Sequence, residues 1–480
     1  MGGAEGKAVS TDKILDPAKM DKWADLRSVQ KSDVKFVLAH GVFDLLHPGH
    51  VRHLEEAKSM GDKLFVSVTR DSDVCKGPGR PVFNQEHRAE MLAALACVDA
   101  VIVNPYSTAA EIIAKLKPDI YVKGKDYADG SHGIEHDQIA AESVGCEVRF
   151  TASPLMSSSE IINANFVLGD DRQRSFIRTV RSRGYRDLVP ALIEKAKGLS
   201  VLFIGETIID EYAYVAPLGK PPKEWCIASL LGDSEQWMGG IQAAANTAAD
   251  FVGMVSVISD RSVVKRRYVD KDFNRKLFEI YKMNDEPPNE EEEHRLIAQI
   301  AELAPVHDVT VVIDFGHGMM TPAIRKAVMT YAKFLAVNAQ SNSANHGFNP
   351  VTRYKADYIC IDAPEAKLAL CDKRADLITC AAHLQAYAPK VVITDGRRGC
   401  VVPVNGEYVT VPAFADKVVD TIGAGDAFLA VTAPLASLTD DLELTSFIGN
   451  IAGAIKCGIP GHRRNVRKDE VLRYAESVLK

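Results

Sequence analysis

The chain has 480 residues, 46% of them hydrophobic and 25% charged, which is too long for one ordinary domain and too apolar for a disordered chain. Its net charge of −7, from 57 basic and 64 acidic side chains, argues against bulk nucleic-acid binding and against a basic membrane-facing surface. Nine cysteines without a CxxC pair, among them Cys97, Cys360 and Cys400 in apolar surroundings, suit reduced core thiols and a cytoplasmic location.

Met1–Ser10 is small and polar, reads as a tail, and lacks the basic start and apolar core of a signal peptide. No run is long and apolar enough to span a bilayer. Asp16–Gln30 has a helical pattern, with Asp16 as its N-cap and Pro17 behind it. Strands and helices then alternate. Strands are expected at 34–39, 63–68, 100–103, 119–122 and 146–150, and helices at 49–60, 86–96, 108–116 and 134–144. Short links between them predict a mainly parallel, doubly wound sheet, whose ligands bind at the carboxyl ends of the strands.

The first such end carries His40–His50, HGVFDLLHPGH. His47 and His50 are three apart and share a face on a first helical turn, which Pro48 suits. A strand, a tight turn and a helix start form a phosphate site, because N–H groups and the positive dipole end point at the ligand. A surface turn with two solvated histidines is the plainer alternative. Further groups fall at other strand ends: Lys76 and Arg80 in CKGPGRP, Arg88 on the next helix, Lys123 in VKGKDY, and Ser157, Ser158 and Ser159 before a helix at 160–165. Together they outline an anion site with no nucleophile. Nucleotidyl transfer needs none, since a substrate phosphate attacks the α-phosphate directly and the protein supplies position and charge. Mg²⁺ is expected to travel with the phosphates. His132 and His136 lack a third ligand and read as a solvated pair.

Residues 34–165 resemble the HxGH nucleotidyltransferases. GVFDLLHPGHVRHLEEAK, RPVFNQEHRAEMLAAL and VKGKDY are most similar to the adenylyltransferase domain of bacterial ADP-heptose synthases. The resemblance implies that His47 and His50 stabilise the transition state, that Lys76 and Lys123 contact phosphates, and that Ser157–Ser159 cap the triphosphate. Gly41, Phe43 and Arg88 fall in the nucleotide-binding stretches. The family's Ser/Thr-Thr pair and small residue before the last helix are replaced by SSSEII, which brings Glu160 there.

Residues 169–198 are charged and helical in pattern and are expected to connect two domains, either as a docked helix or as a solvated linker. A second α/β domain is expected from 199 to 480. It opens with a strand at 199–204. A helix start follows at Gly239–Gly240, then two strands between Val263 and Met283, a proline-acidic turn at 287–293 and a strand at 309–313. Helices close it around 440–457 and 467–479. Its strongest motif is Asp420–Asp426, DTIGAGD. Thr421, Gly423, Ala424 and Gly425 open a helix whose N–H groups can hold a transferred phosphoryl group. Asp426 on the first turn can take the proton of an attacking hydroxyl. Thr394, Gly396 and Gly399 in TDGRRG can wrap a nucleotide phosphate, Asp362 and Glu365 can hold Mg²⁺ through water, and Asp210, Gly239, Gly240 and Gln242 can meet a sugar.

This second pattern resembles the PfkB, or ribokinase-like, sugar kinases over residues 200–460, with the kinase domain of the ADP-heptose synthases again nearest. The resemblance implies two doubly wound α/β domains. One is an N-terminal Rossmann-like HxGH nucleotidyltransferase (34–168, after a tail and helix at 1–33). The other is a C-terminal ribokinase-like kinase with a small β-lid at 263–283. It also implies ATP as substrate, a divalent cation such as Mg²⁺, Asp426 as base, Asn450 at the adenine pocket, and a homodimer through the lid. The acceptor side departs from the family. Gly239–Gly240 is followed by Ile241, Gln242 and Ala243, with Ala243 where Asn is usual. Asp362 stands where the family's Mg²⁺-associated motif has Asn, and His317 in DFGHG replaces a Lys, so the changes line the acceptor side more than the ATP side. Asn338–Asn349 is unusually rich in amides. Fused ADP-heptose synthases generally carry the kinase first; here it comes second.

The expected function is therefore a bifunctional sugar-nucleotide enzyme. It would phosphorylate a heptose-like sugar and join a sugar 1-phosphate to a nucleotide, with a separate phosphatase between the steps if the sugar already carries a phosphate. The alternatives are a CDP- or ADP-linked alditol or other sugar, and a regulatory kinase-like domain without activity.

Overall fold

The structure, a computed structural model, describes residues 11–16, 18–22, 34–74, 76–77, 79–128, 134–152, 170–221, 223, 225–273, 275–284, 286–415 and 418–480. The chain divides into two compact units, residues 1–177 with 472–480, and residues 178–471.

Among the described residues, the first unit contains a six-stranded parallel sheet. Its strands are β1 (Ile14–Leu15), β2 (Phe36–Gly41), β3 (Lys63–Val68), β4 (Ala100–Val103), β5 (Ile120–Gly124) and β6 (Glu147–Thr151), in the order β1-β4-β3-β2-β5-β6. Burial on both faces explains the short apolar runs: five of the six residues of KLFVSV are buried. The helices Pro48–Ser59, Gln85–Ala93, Ala109–Leu116 and Glu135–Ser143 cover the faces. Local capping sets their starts. Asn84 caps the second, and Thr108 with Glu111 forms a capping box on the third. Asp16 accepts Lys19 N–H at 2.8 Å, as an N-cap does. The order changes direction at β2, and the HPGH turn follows the carboxyl end of that strand, where such sheets bind ligands.

The expected connector is two helices, Asp171–Ser182 and Tyr185–Ala196, and the boundary between the units falls inside the first. The second helix belongs to the C-terminal unit, where Tyr185, Val189, Leu192 and Ile193 are buried. Tyr185 packs at 6.0 Å from Phe447, and Arg183 donates to Glu443 at 2.5 Å. Residues 472–480, expected with the kinase, group with the first unit. Ser477 Oγ donates to the carbonyl of Lys76 at 3.0 Å and accepts from Arg80.

Among the described residues, the second unit has two sheets. The larger contains β7 (Ser200–Gly205), β10 (Met254–Ile258), β13 (Val309–Asp314), β14 (Leu335–Ala339), β15 (Tyr358–Asp362), β16 (Lys390–Thr394), β17 (Cys400–Val404) and β18 (Glu407–Val411). Its order is β10-β7-β13-β14-β15-β16-β17-β18, parallel as far as β16 and antiparallel beyond. The smaller sheet is the lid, made of β8 (Thr207–Gly219), β9 (Ala228–Gly239), β11 (Ser262–Asp270) and β12 (Arg275–Lys282), in the order β12-β11-β8-β9. The lid is thus twice the expected 263–283 hairpin. Asp210 lies within its strand β8 rather than at the end of a core strand, because β7 stops at Gly205 and β8 starts after only Glu206.

Candidate active sites

In the first unit, His47 is extended (φ −138°, ψ 168°) and caps the helix Pro48–Ser59, its Nδ1 accepting Gly49 N–H at 3.1 Å. In the neutral ring this leaves the proton on Nε2, as a donor. His50 stacks on His47 with centroids 4.0 Å apart and planes at 19°. Burial lowers the pKa of His47 from its ordinary value. Burial, then His47 and Lys76, bring His50 down to about 3. Both imidazoles are therefore neutral near pH 7 and act as hydrogen-bond groups rather than as cations.

The residues before the turn shape this pair. Phe43 sits at φ 52° and meets His50 edge-to-face at 5.4 Å, and a side chain on Gly41 would press the Phe43 ring at 3.2 Å. Asp44 accepts Val82 N–H at 2.7 Å and Phe83 N–H at 3.1 Å, which fastens the 80–83 loop to the histidine turn. Asp44 was not among the expected site residues, although a carboxylate inside GVFD followed by a loop of cations is a readable signal. Lys76 is pushed down to about 8 by burial, then by Arg80 and Lys480, so three cations gather, of which Lys76 acts on His50. Lys123 is buried at the end of β5. Its Nζ donates to the carbonyl of His40 at 3.3 Å and lies 3.6 Å from Asp137.

Arg88 departs from the expected nucleotide-binding role. It is fully buried and donates to the carbonyls of Phe83 (3.0 Å), Val42 (2.5 Å) and Thr69 (2.8 Å) and to Asp71 (2.5 Å). It fixes the walls of the site from behind. Ser157, Ser158, Ser159, Glu160 and His132 lie outside the described residues.

In the second unit, Gly423 adopts φ 74° and starts the helix Ala424–Leu438. That left-handed turn favours glycine, and Ala424 N–H turns back onto the carbonyl of Thr421 at 3.2 Å. Asp426 on the first turn accepts Gln340 Nε2–H at 2.8 Å. Burial raises its pKa, against the pull of His462, Gln340 and Lys265. A buried, uplifted carboxylate is a stronger base than an exposed one.

Asp210 is buried, accepts from Arg267, and lies 3.3 Å from His462 Nε2. Gly239 and Gly240 are required by packing, since a side chain on either would strike Asp210 or the backbone of Glu206 and Ile208. The His462 ring sits between Gly239 and Gly423, within 3.3 Å of a methyl group built on either, and so joins the Asp210 side to the Gly423 turn. Lys265, Arg267, Gln340 and His462 were missed from sequence. They come from three separate places in the chain, and only Lys265 and Arg267, two apart on β11, share a local spacing. Gln242 is half-buried on the first turn of its helix.

Asp362 and Glu365 form a capping box. Asp362 accepts Glu365 N–H at 2.7 Å and Glu365 accepts Asp362 N–H at 2.9 Å. Glu365 also accepts Ser341 N–H at 3.0 Å. Burial, then Asp362, raise Glu365 to about 8, and burial raises Asp362 as well. Two carboxylates raised in this way suit a divalent cation, which favours their charged forms.

Thr394 Oγ1 donates to the carbonyl of Ile361 at 3.4 Å, and Gly396 (φ 52°) starts a short turn after β16. Gly399 (φ 95°) packs directly on the backbone of Val411–Ala413. Asn450 Nδ2 donates to the carbonyls of Val411 and Pro412, both at 3.1 Å, and so holds that loop. The amide-rich segment has a structural use. Asn342 and Asn345 donate to the carbonyl of Phe315 at 2.7 and 3.0 Å, and Asn349 to that of Asp314 at 3.1 Å, so they cap the turn that contains buried His317.

Residues 38–164 match the cytidylyltransferase-like family, and residues 293–469 match the pfkB family of carbohydrate kinases. The nucleotidyltransferase-like region thus comes first and the pfkB region second. The "Bifunctional protein HldE" of Koribacter versatilis is 38% identical over 138 residues, 28% of this chain and 27% of that protein. That of Methylococcus capsulatus is 43% identical over 123 residues, 25% of this chain and 26% of that protein. The chain spans about a quarter of the length of these curated relatives. Among solved structures, phosphofructokinase-2 from Escherichia coli in complex with potassium is similar at 13% identity and a TM-score of 0.47, over 58% of this chain and 99% of that one.

Proposed function

We propose that the chain is a bifunctional enzyme of sugar-nucleotide synthesis, with a sugar kinase and a nucleotidyltransferase of the ADP-heptose type. The observation that carries this reading is two anion sites at helix starts on one chain. The neutral His47–His50 pair opens the helix Pro48–Ser59, and Asp426 stands on the Gly423–Gly425 turn. The name of the HldE relatives, bifunctional, agrees with it.

In the kinase reaction, Asp426 takes the proton of a sugar hydroxyl as that oxygen bonds to the γ-phosphorus of ATP and the bond to the ADP oxygen breaks. The backbone N–H groups of the 423–425 turn hold the transferred group. Asp210, fixed by Arg267 and His462, orients sugar hydroxyls. A divalent cation such as Mg²⁺ would neutralise nucleotide phosphate charge, and Asp362 and Glu365 are the residues that would hold it. In the transferase reaction, a phosphate oxygen of the sugar 1-phosphate bonds to the α-phosphorus of the nucleotide, and pyrophosphate leaves. His47 Nε2–H and His50 donate to the growing oxyanion charge, while Lys76 and Lys123 place the phosphates.

If the sugar already carries a phosphate, a phosphatase acts between the two steps. Exposed apolar residues on the lid, Leu230 and Leu231 on β9 and Phe278 and Ile280 on β12, support a homodimer through that sheet. No described helix is long and apolar enough to cross a membrane. The test is to incubate the protein with ATP and candidate heptoses and heptose phosphates, following ADP and pyrophosphate separately. No ADP with any sugar or alditol sinks the kinase half. The description of the first family as cytidylyltransferase-like favours a second reading, a CDP-linked product. Strict ATP dependence of pyrophosphate release in a nucleotide panel rules it out.

A further inference from the structure

The kinase site holds a buried ammonium to which none of these roles assigns a task. Lys456 lies in the last turn of the helix Leu442–Cys457 and is 3% exposed. Its Nζ donates to the carbonyl of Gly461. A methyl group built on Gly423 would sit 3.2 Å from Lys456 Cε, so the lysine stem packs directly against the first glycine of the turn, beside the His462 ring. The N–H of Gly461 donates to Asp420 at 2.9 Å, and Asp420 also accepts Ile422 N–H at 3.1 Å. Lys456, Gly461 and Asp420 thus form one hydrogen-bonded brace that ends on the turn itself.

A neutral donor would satisfy one carbonyl at lower desolvation cost, so a charge kept here needs an anion to face. Burial lowers the pKa of Lys456, and the carboxylates that oppose this by charge are Asp420, Asp426 and Asp210. Asp420 is already paired with Lys276 at 2.7 Å, and Asp210 with Arg267 and His462. Asp426 loses its charge once it takes a proton. The remaining anion is the phosphoryl group on the turn. Lys265 and His462 act on Asp426 by charge, and Lys456 Cε and the His462 ring meet the same side of Gly423.

We infer that Lys456 is a resident cation for phosphoryl transfer. Its ammonium, fixed on Gly461 with its stem against Gly423, supplies positive charge to the anion held by the backbone N–H groups of that turn. It acts through the turn and is a positioning residue, and the inference rests on the kinase reading of the site. A fixed charge in a water-poor interior acts more strongly than the same charge in solvent.

The experiment measures ADP release by the full chain, with wild type as the first arm. No ADP with any acceptor overturns the kinase reading and this inference together. With wild type active, Lys456→Ala, which leaves room for an added cation, is expected to keep its fold by circular dichroism and to lose roughly 10²-fold in kcat. Its acceptor KM should stay within about threefold, because the turn and not the sugar is affected. Ammonium or methylammonium at millimolar concentration should restore at least part of that kcat and leave wild type unchanged. If Lys456→Ala does not fold, Lys456→Gln, which keeps the stem, should show the same kcat loss. Wild-type kcat in either variant overturns the inference alone. So does a loss in folded Lys456→Ala that added ammonium does not relieve.

Discussion

Replacing His47 separates the capping task seen in the structure from the donor task proposed for the same side chain. Its Nδ1 caps the helix Pro48–Ser59 through Gly49 N–H at 3.1 Å, and its Nε2–H is the donor assigned to the reacting phosphate. His47→Ala removes both. Loss of an N-cap costs about 1 kcal/mol. Loss of a donor to developing charge costs about 3–4 kcal/mol of transition-state stabilisation, a fall of roughly 10²–10³-fold in turnover. His47→Asn keeps a good N-cap, since a short amide oxygen reaches the same N–H, but it is too short to place a donor where Nε2 lies. Pyrophosphate release at saturating nucleotide should therefore fall about equally in both variants, by roughly 10²–10³-fold. Only His47→Ala should lower the unfolding temperature of its unit, by about 2–4 °C. ADP release by the kinase serves as the internal control and should not change. Near-normal pyrophosphate release in His47→Asn would refute the donor role. So would a loss of rate that follows the loss of stability across the two variants.

Asp426→Asn should reduce ADP formation by roughly 10²–10⁴-fold, the usual worth of a general base, while pyrophosphate release from a supplied sugar 1-phosphate persists. Unchanged ATP turnover would instead favour a second domain that binds without catalysis. Arg88→Met should destabilise the first unit by about 2–4 kcal/mol in urea unfolding, because buried carbonyls and Asp71 lose a charged donor. An unchanged midpoint with a raised ATP KM would return Arg88 to nucleotide binding. The two units should also respond to acid with opposite signs. His50 and His53 are depressed to about 3 and 4 from 6.5, so the unfolded chain binds more protons and the first unit loses stability as pH falls from about 6.5 toward 4. Glu206 and Glu365 are raised to about 7 and 8 from 4.5. Their contribution is therefore full below 4.5 and lost as pH rises through 7–8, and the second unit should gain stability over that same descent. Calorimetry across pH 4.5–8, with Glu365→Gln reducing the slope of the second transition, checks this; two transitions that move together would contradict it.

The parts of the fold that were legible share one property: local backbone geometry decides them. Strands at 63–68 and 100–103 coincide with Lys63–Val68 and Ala100–Val103 because parallel strands buried on both faces read as short apolar runs between turn residues. The HPGH and DTIGAGD stretches were legible for the same reason, since a helix start positions its own N–H groups whatever the rest of the chain does. The lid was half missed. Only Glu206 separates β7 from β8, so GETIIDEY reads as one strand region, and most of β9 is exposed and carries little apolar pattern.

The acceptor pocket marks the limit of such reading. Asp210, Arg267, Gln340, Asp426 and His462 come from five elements, and each pair is made by folding rather than by spacing. The amides of 338–349 show this most directly. Their abundance is visible in the sequence, but their use as caps on the carbonyls of Asp314 and Phe315 depends on two loops more than twenty residues apart meeting in space. The departures at Ala243, His317 and this segment fall in the helix between β9 and β10, in the turn after β13 and from the end of β14 onward, whereas Asp362 departs at the proposed cation site. The phosphoryl side, Thr421 to Asp426, has none. On the proposed kinase reading, selection of the sugar and transfer of the phosphoryl group fall to separable sets of residues. Exchange of Gln242 or Ala243 should therefore change which acceptor is used, whereas exchange of Asp426 should change whether any is.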